Sequence, residues 1–479
     1  MRRTIPELFR RAAGAVPEAT WLVTEDGEVT YATALERVER AASALRAAGL
    51  CRGDRVVVVA RNTADCLLAW FGLMEIGAVQ VPVNPASSAA ELDGLVAQVA
   101  PKVVLGDADV AALFDAPADG RGPADVDPDD VAVMIPTSGT TGRSKLVMQT
   151  HRAYVMAGEG FPYWTQLTAD DRLMTALPLF HINAAAYTVL GSVAAQASCV
   201  LLSTFSARGF LDAARRFGAT EFNAIGAMLE ILMRQPRRPD DADNPLRLCY
   251  TGPSPTKERQ LEIEDRFGLE IVCGYALSET PYGLIWPPGT RPYGTLGSPR
   301  QHPELGHVND ARVTGEGELQ LRNPCIMKGY YEMPDETAAV LVDGWLRTGD
   351  LVRANADGTY TFVGRKKEII RRRGENLAPA EVERVLEQHP AVAEAAVVAV
   401  PSELSDDDVK AFLAPARGQT VDLHVVHDFV GEHLSRFKVP RYYEVVEELP
   451  HTPTGRLAKH QLPAGHTRHE VDMEDRTGS

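Results

Sequence analysis

Helix-patterned and strand-patterned segments take turns along the first half of this chain, and that alternation narrows the fold more than any other feature. Ala32 to Ala48 is alanine-rich, with Leu35, Val38, Ala42 and Leu45 at helical spacing. Gly49 and Gly53 punctuate, and Arg55 to Ala60 reads as a buried β-branched strand. A second unit follows, with a helix through Leu67-Leu68-Ala69-Trp70-Phe71 and then strand and turn over Val79 to Pro85. The alternation resumes between residues 170 and 275. Repetition in this order predicts an α/β fold, with parallel sheets covered by helices on both faces. Around Gly289 to Gly306 the composition shifts to Gly, Pro and short strands, as in a small β-rich subdomain. A sharper boundary falls at Val363-Gly364-Arg365-Lys366-Lys367. Beyond it the pattern is compact and mixed: a helix over Pro379 to Leu386 with Pro in its first turn, strands over Val397 to Val400 and Val409 to Leu413, and a helix over Val421 to Leu434. The expected division is a large domain over 1–366, a small α+β domain over 367–465, and a polar, disordered tail over 466–479.

One loop carries chemistry on its face. After the apolar run Val131 to Ile135 come Thr137-Ser138-Gly139-Thr140-Thr141-Gly142-Arg143-Ser144-Lys145. Glycines let backbone N–H groups approach an anion, and the hydroxyls and lysine supply further donors, which suits a polyphosphate. It is not a Walker A loop, since only two residues separate Gly139 from Gly142 and Leu146 follows Lys145. A formal charge of −16 argues against a general nucleic-acid binder. The six cysteines show no paired or zinc-like spacing, which points to reduced thiols. With no signal-peptide pattern and no apolar run of spanning length, the expectation is a cytoplasmic protein without membrane partners, monomeric or homodimeric.

Five further segments join this loop. They are Leu177-Pro178-Leu179-Phe180-His181-Ile182-Asn183, Gly274-Tyr275-Ala276-Leu277-Ser278-Glu279-Thr280, Gly344-Trp345-Leu346-Arg347-Thr348-Gly349-Asp350, Gly364 to Ile370 leading to Arg373-Gly374-Glu375-Asn376, and Leu449 to Lys459. In this order, and with Val79 to Pro85, Gly317-Glu318-Leu319 and Gly329-Tyr330, the set resembles the adenylate-forming superfamily of acyl-CoA synthetases, adenylation domains and luciferases. The likeness runs from Tyr31 to Lys459 and is nearest to small-acid ligases of the carnitine/crotonobetaine- and coumarate-CoA ligase type.

The resemblance implies a function: an acid plus ATP gives an acyl-adenylate, and the thiol of CoA then takes the acyl group. Such chemistry needs the polyphosphate held, charge at the α-phosphate offset, and the attacking oxygen aligned. By the resemblance Thr137, Ser138, Gly139, Thr140, Thr141, Gly142 and Lys145 hold the β- and γ-phosphates, and Ser278 reaches the α-phosphate. Glu279 binds Mg²⁺, a hard cation that favours carboxylate oxygen. Tyr275 stacks on adenine beside Gly252, and Asp350 accepts from the ribose with Arg365 assisting. His181, at the end of an apolar strand, lies between the acid and the thiol. Asn183, Asn223, Gly226, Ala227, Met228, Ala276 and Tyr282 form the acid pocket, whose few charges favour an apolar or aromatic acid. Lys367 is the hinge of a mobile C-terminal domain that presents Gly374 and Glu375 for transfer.

One departure bears on mechanism. Arg456 stands where the family's adenylation lysine is usual. Arginine keeps the charge but brings a longer, planar, forked head. Arg456 substitutes, Lys459 reaches in instead, or adenylation is impaired. The departure keeps open an amine acceptor, as in amide synthetases or nitrite-activating diazotases, and a non-catalytic nucleotide-binding homologue.

Overall fold

The computed structural model describes residues 2–137, 145–252, 254–372, 375–402, 407–451, 457–463 and 465–474, with the side chains of Glu375 and Asn376 outside the description. The chain forms two compact units. The first comprises 1–312, 320–347 and 356–359, and the second 313–319, 348–355 and 360–479.

The first unit is built on two sheets. One has nine strands, in the order Ser298–Pro299, Thr280–Ile285, Glu270–Leu277, Leu248–Gly252, Glu221–Ile225, Arg172–Thr175, Ser198–Leu201, Thr20–Thr24 and Gly27–Thr30. Its six central strands run parallel, and antiparallel hairpins close both margins. The other sheet has five strands, Val103–Gly106, Arg55–Val59, Val79–Pro82, Val131–Thr137 and Lys145–Thr150, of which only the last is antiparallel. The alternation of the sequence thus yields the parallel α/β arrangement it predicts.

Both sheets feed one apolar core, with Leu22 from the first sheet and Val56 and Ile135 from the second meeting Phe9, Phe71, Tyr154 and Phe161 from the helices. Helix Ala64–Glu75 is buried from Cys66 onward. It crosses helix Tyr31–Ala47 so closely that a Cβ on Gly72 would lie 2.8 Å from that of Ala41. Five of the six cysteines are buried, and burial pushes the thiols of Cys66, Cys199 and Cys273 up to about 12, which makes them structural rather than reactive.

In the second unit the strands Val392–Pro401, Asp407–Pro415, Tyr442–Val445 and Val471–Asp472 form a sheet, with helices Pro379–Leu386 and Leu423–His433 contributing Val382, Leu386, Val426 and Val430 to its core. The expected disorder from residue 466 gives way to structure through residue 474. Val471 and Asp472 pair with Tyr443 and Tyr442, Glu470 meets the fully buried Lys410 at 2.7 Å, and Asp472 meets Arg441 at 2.7 Å. The segment thus adds a second carboxylate to cations that already face Glu444 and Asp408 of the sheet. Among the described residues no helix is long and apolar enough to cross a membrane.

Candidate active site

Several of the residues that the sequence motifs single out in the first unit lie at or just beyond the ends of its strands. Strands Val131–Thr137 and Lys145–Thr150 are antiparallel neighbours, with Thr137 opposite Lys145 and the Thr137 hydroxyl donating to the Lys145 carbonyl at 3.1 Å. The intervening loop therefore returns as a strand. Ser138, Gly139, Thr140, Thr141 and Gly142 lie outside the described residues.

Glu279 does not begin a helix. Strand Glu270–Leu277 turns at Ser278 and Glu279 into strand Thr280–Ile285, because Thr280, Tyr282 and Leu284 continue a buried β pattern. Three groups fix this turn. Gln149 Nε2 donates to the Ser278 carbonyl at 2.7 Å, the Met327 N–H to the Glu279 carbonyl at 2.8 Å, and the Tyr330 hydroxyl to Glu279 Oε1 at 2.8 Å. The Lys145 ammonium lies 4.7 Å from the centre of the same Tyr330 ring. Glu279 makes no ion pair among the described residues, which suits a hard cation that takes its other ligands from phosphate oxygens and water. No cluster of three or more candidate metal ligands occurs among those residues.

Tyr275 is half-buried on the strand entering this turn. Close by, a Cβ on Gly252 would stand 2.4 Å from the Gly274 carbonyl oxygen, so only glycine lets these two backbones lie together.

His181 sits in the segment after strand Arg172–Thr175, just ahead of a π-helical turn at Ala184–Val189, rather than at a strand end. Its ring lies 4.5 Å from that of Phe180. Asn62 fixes the segment, donating to the Leu177 carbonyl at 2.9 Å and accepting from the Leu179 N–H at 3.0 Å. Asn183 accepts from Asn223 Nδ2 at 2.6 Å. Asn223 is fully buried on strand Glu221–Ile225, and its Oδ1 has no partner among the described residues. Gly226 and Ala227, half-buried, open the helix Gly226–Met233, whose Met228 is buried, and Ala276 is half-buried. Tyr282 is fully enclosed, as Asn223 is, and its ring packs edge-on against Trp164 at 5.0 Å.

In the second unit Asp350 lies within strand Trp345–Ala354, not in a turn. It is fully buried and faces Arg365 of strand Tyr360–Arg365, with Arg365 Nε 2.8 Å from Asp350 Oδ1. Its N–H donates to the Thr348 hydroxyl at 3.1 Å, which itself donates to the Leu319 carbonyl at 2.7 Å. Lys367 occupies a 3-10 turn, Lys366–Glu368. Lys459 is committed: its ammonium lies 2.6 Å from Glu383 Oε1 and 3.2 Å from Glu368 Oε2. Gly374, the Glu375 side chain and Arg456 fall outside the description.

The AMP-binding enzyme profile matches residues 9–331, and that of the AMP-binding enzyme C-terminal domain matches 381–456. The chain belongs to the AMP-binding enzyme family. Its relatives include the crotonobetaine/carnitine–CoA ligase of Salmonella heidelberg strain SL476, 29% identical over 96% of this chain and 99% of that protein. Among solved structures, ATP-bound MatB from Rhodopseudomonas palustris is 26% identical, with a TM-score of 0.88 over 96% of this chain and 98% of that one. The O-succinylbenzoate coenzyme A synthetase MenE of Bacillus subtilis, in complex with AMP, is 26% identical, with a TM-score of 0.85 over 95% and 98%. This AMP-binding enzyme is an AMP-forming, acyl-CoA-synthetase-like ligase that uses ATP to activate a small acid.

The sequence motifs single out Lys145, Ser278 and Glu279 but give no role to Gln149, Asn62 or Tyr330. Of these only Tyr330 carries a signal in the sequence, through Gly329-Tyr330.

Proposed function

We propose that this AMP-binding enzyme adenylates a small acid with an apolar or aromatic body and passes the acyl group to the thiol of CoA. In the first step a carboxylate oxygen attacks the α-phosphorus of ATP while the bond to pyrophosphate breaks. In the second the thiol sulfur attacks the acyl carbon, AMP departs with the bonding pair, and the thiol proton is lost. The observation that most favours adenylation is the Ser278–Glu279 turn, held by Gln149 and by a Tyr330 whose ring also carries the ammonium of Lys145 on its face.

In this reading residues 137–142 and Lys145 hold the terminal phosphates and Ser278 donates toward the α-phosphate. Glu279 would hold Mg²⁺, which offsets phosphate charge when bound. Adenine lies along Gly252 and Tyr275, and Asp350 with Arg365 takes the ribose. The wall made by Asn183, Asn223, Gly226, Ala227, Met228 and Ala276 receives the acid, with His181 on the acceptor side. Arg456 supplies the adenylation charge, a choice supported by the engagement of Lys459 with Glu383 and Glu368. Lys367 serves as the hinge, and Gly374 with Glu375 borders the acceptor. CoA as acceptor is favoured by full-length likeness to proteins named as CoA ligases and synthetases.

A panel of acids, nitrite included, tested for acid-dependent pyrophosphate exchange and then for product with CoA or with an amine, decides the matter. Exchange with a carboxylic acid followed by thioester is the expected result. Amide or diazo product without thioester would overturn the acceptor, and absence of exchange across the panel would overturn adenylation.

A further inference from the structure

Tyr330 touches two oppositely charged groups at once. Its hydroxyl donates to Glu279 Oε1 at 2.8 Å, and the face of its ring receives the Lys145 ammonium 4.7 Å from the centre. The backbone explains why it can. Residues 328–331 run beside the strand that leaves the phosphate loop: the Met148 N–H donates to the Gly329 carbonyl at 3.0 Å, and the Tyr331 N–H to the Leu146 carbonyl at 2.9 Å. The Tyr330 N–H donates to the Thr337 hydroxyl at 2.9 Å. Gly329 adopts φ +140°, and a Cβ there would press to 2.8 Å from Thr337 Cγ2, so glycine is required for this approach. The residue is buried, which limits the ring to this placement.

We propose that Tyr330 is a positioning residue that sets the metal-directed carboxylate and the phosphate-directed ammonium in one fixed relation, acting through Glu279 with its hydroxyl and through Lys145 with its ring. This rests on the reading of Glu279 and Lys145 given above. The two arms are chemically separable. A hydrogen bond from hydroxyl to carboxylate fixes which Glu279 oxygen remains for a cation, and it disappears in Tyr330→Phe. The attraction of an ammonium to an aromatic face survives in Tyr330→Phe and disappears in Tyr330→Leu.

Calorimetric titration of the full-length protein with ATP, across a series of Mg²⁺ concentrations and without any acid, reads both arms independently of substrate and acceptor. Tyr330→Phe is expected to raise the Mg²⁺ concentration that gives half of the affinity gain by about tenfold, while metal-free ATP binding stays at the wild-type level. Tyr330→Leu is expected to weaken metal-free binding as well. Adding Tyr330→Phe to Glu279→Gln should move the Mg²⁺ midpoint no further than Glu279→Gln alone, because both remove one interaction. A Tyr330→Phe protein that melts earlier but keeps the wild-type midpoint would overturn the proposal, as would additive effects in the double variant. A wild-type ATP affinity that ignores Mg²⁺ would refute the metal role of Glu279 and this inference with it. Failure of every acid and acceptor, with these binding results intact, would refute the function proposed above and leave Tyr330 in place.

Discussion

Lys459→Met separates two roles that a lysine near the end of this chain could play. Its ammonium sits between Glu383, 2.6 Å away, and Glu368, 3.2 Å away, and the Lys459 and Glu383 side chains are 19% and 14% exposed. Removing one member of a buried pair costs about 3–5 kcal/mol when nothing else compensates. Here Glu383 also accepts from the Val397 N–H at 2.7 Å. Allowing for that bond and for partial exposure, the loss should be about 2–3 kcal/mol, or roughly ten degrees in the melting of a unit this size. The effect has a pH signature. Burial raises the Glu383 carboxyl above its usual range against the lowering influence of Lys459, so deleting the lysine raises it further. A carboxyl that binds its proton more tightly when folded loses stability as pH climbs from the unfolded value toward the folded one. The deficit of Lys459→Met against wild type is therefore smallest near pH 4.5 and larger at pH 7.5. Urea denaturation of the full chain at both values, followed by circular dichroism, measures it. Pyrophosphate exchange per folded molecule should stay within about tenfold of wild type, whereas Arg456→Ala should lose most of it, a gap of at least 1.4 kcal/mol in barrier. A Lys459→Met protein that unfolds like wild type while its exchange collapses would refute the structural role and make Lys459 the adenylation charge.

Two further outcomes follow from the same geometry. Asn223→Leu should lower kcat/KM for aromatic acids bearing a hydroxyl or amino donor by about tenfold relative to unsubstituted ones, since an unpaired buried acceptor is worth about 1–3 kcal/mol to a ligand that satisfies it; equal losses for both acids would remove Asn223 from selection. Lys367→Pro should leave adenylate formation near wild type but slow its consumption, because Pro fixes φ and restricts Lys366 before it; single-turnover measurements that show equal slowing of both steps would indicate general damage instead.

Much of this was legible in the residues because it is local. The helix expected over Pro379 to Leu386 occurs at those bounds, and the strand expected over Arg55 to Ala60 ends one residue sooner, at Val59. Spacing and Pro placement decide such elements within a few residues. The loop, the turn with Glu279 and the Asp350–Arg365 pair also carry motifs. What escaped was set by partners far along the chain. Asp350 looks like a turn residue after Gly349, yet pairing with residues 360–365 draws it into a strand. Residues 466–474 look like a solvated tail because their partners, Lys410 and Arg441, stand 60 and 31 positions earlier in the chain. Lys459 reads as a free cation because Glu383 stands 76 positions earlier in the chain.

The nine-stranded sheet has a consequence for how the molecule is made. Strand Thr20–Thr24 leaves the ribosome long before its parallel neighbour, Ser198–Leu201. The interlocking contacts are equally distant, with Ser198 Oγ donating to the Thr20 carbonyl at 2.7 Å, the Tyr31 hydroxyl to the Ala197 carbonyl at 2.9 Å, and Trp21 Nε1 to Ser192 Oγ at 3.1 Å. At ordinary translation speeds, roughly ten to thirty seconds pass before that neighbour is synthesised. Throughout this interval the Thr20–Thr30 hairpin presents an open strand edge and an unburied Trp21 to its surroundings. The nascent chain is therefore a natural client for chaperones that bind apolar segments at the tunnel exit, and slowing translation after residue 30 should lengthen that engagement and lower the yield of folded enzyme.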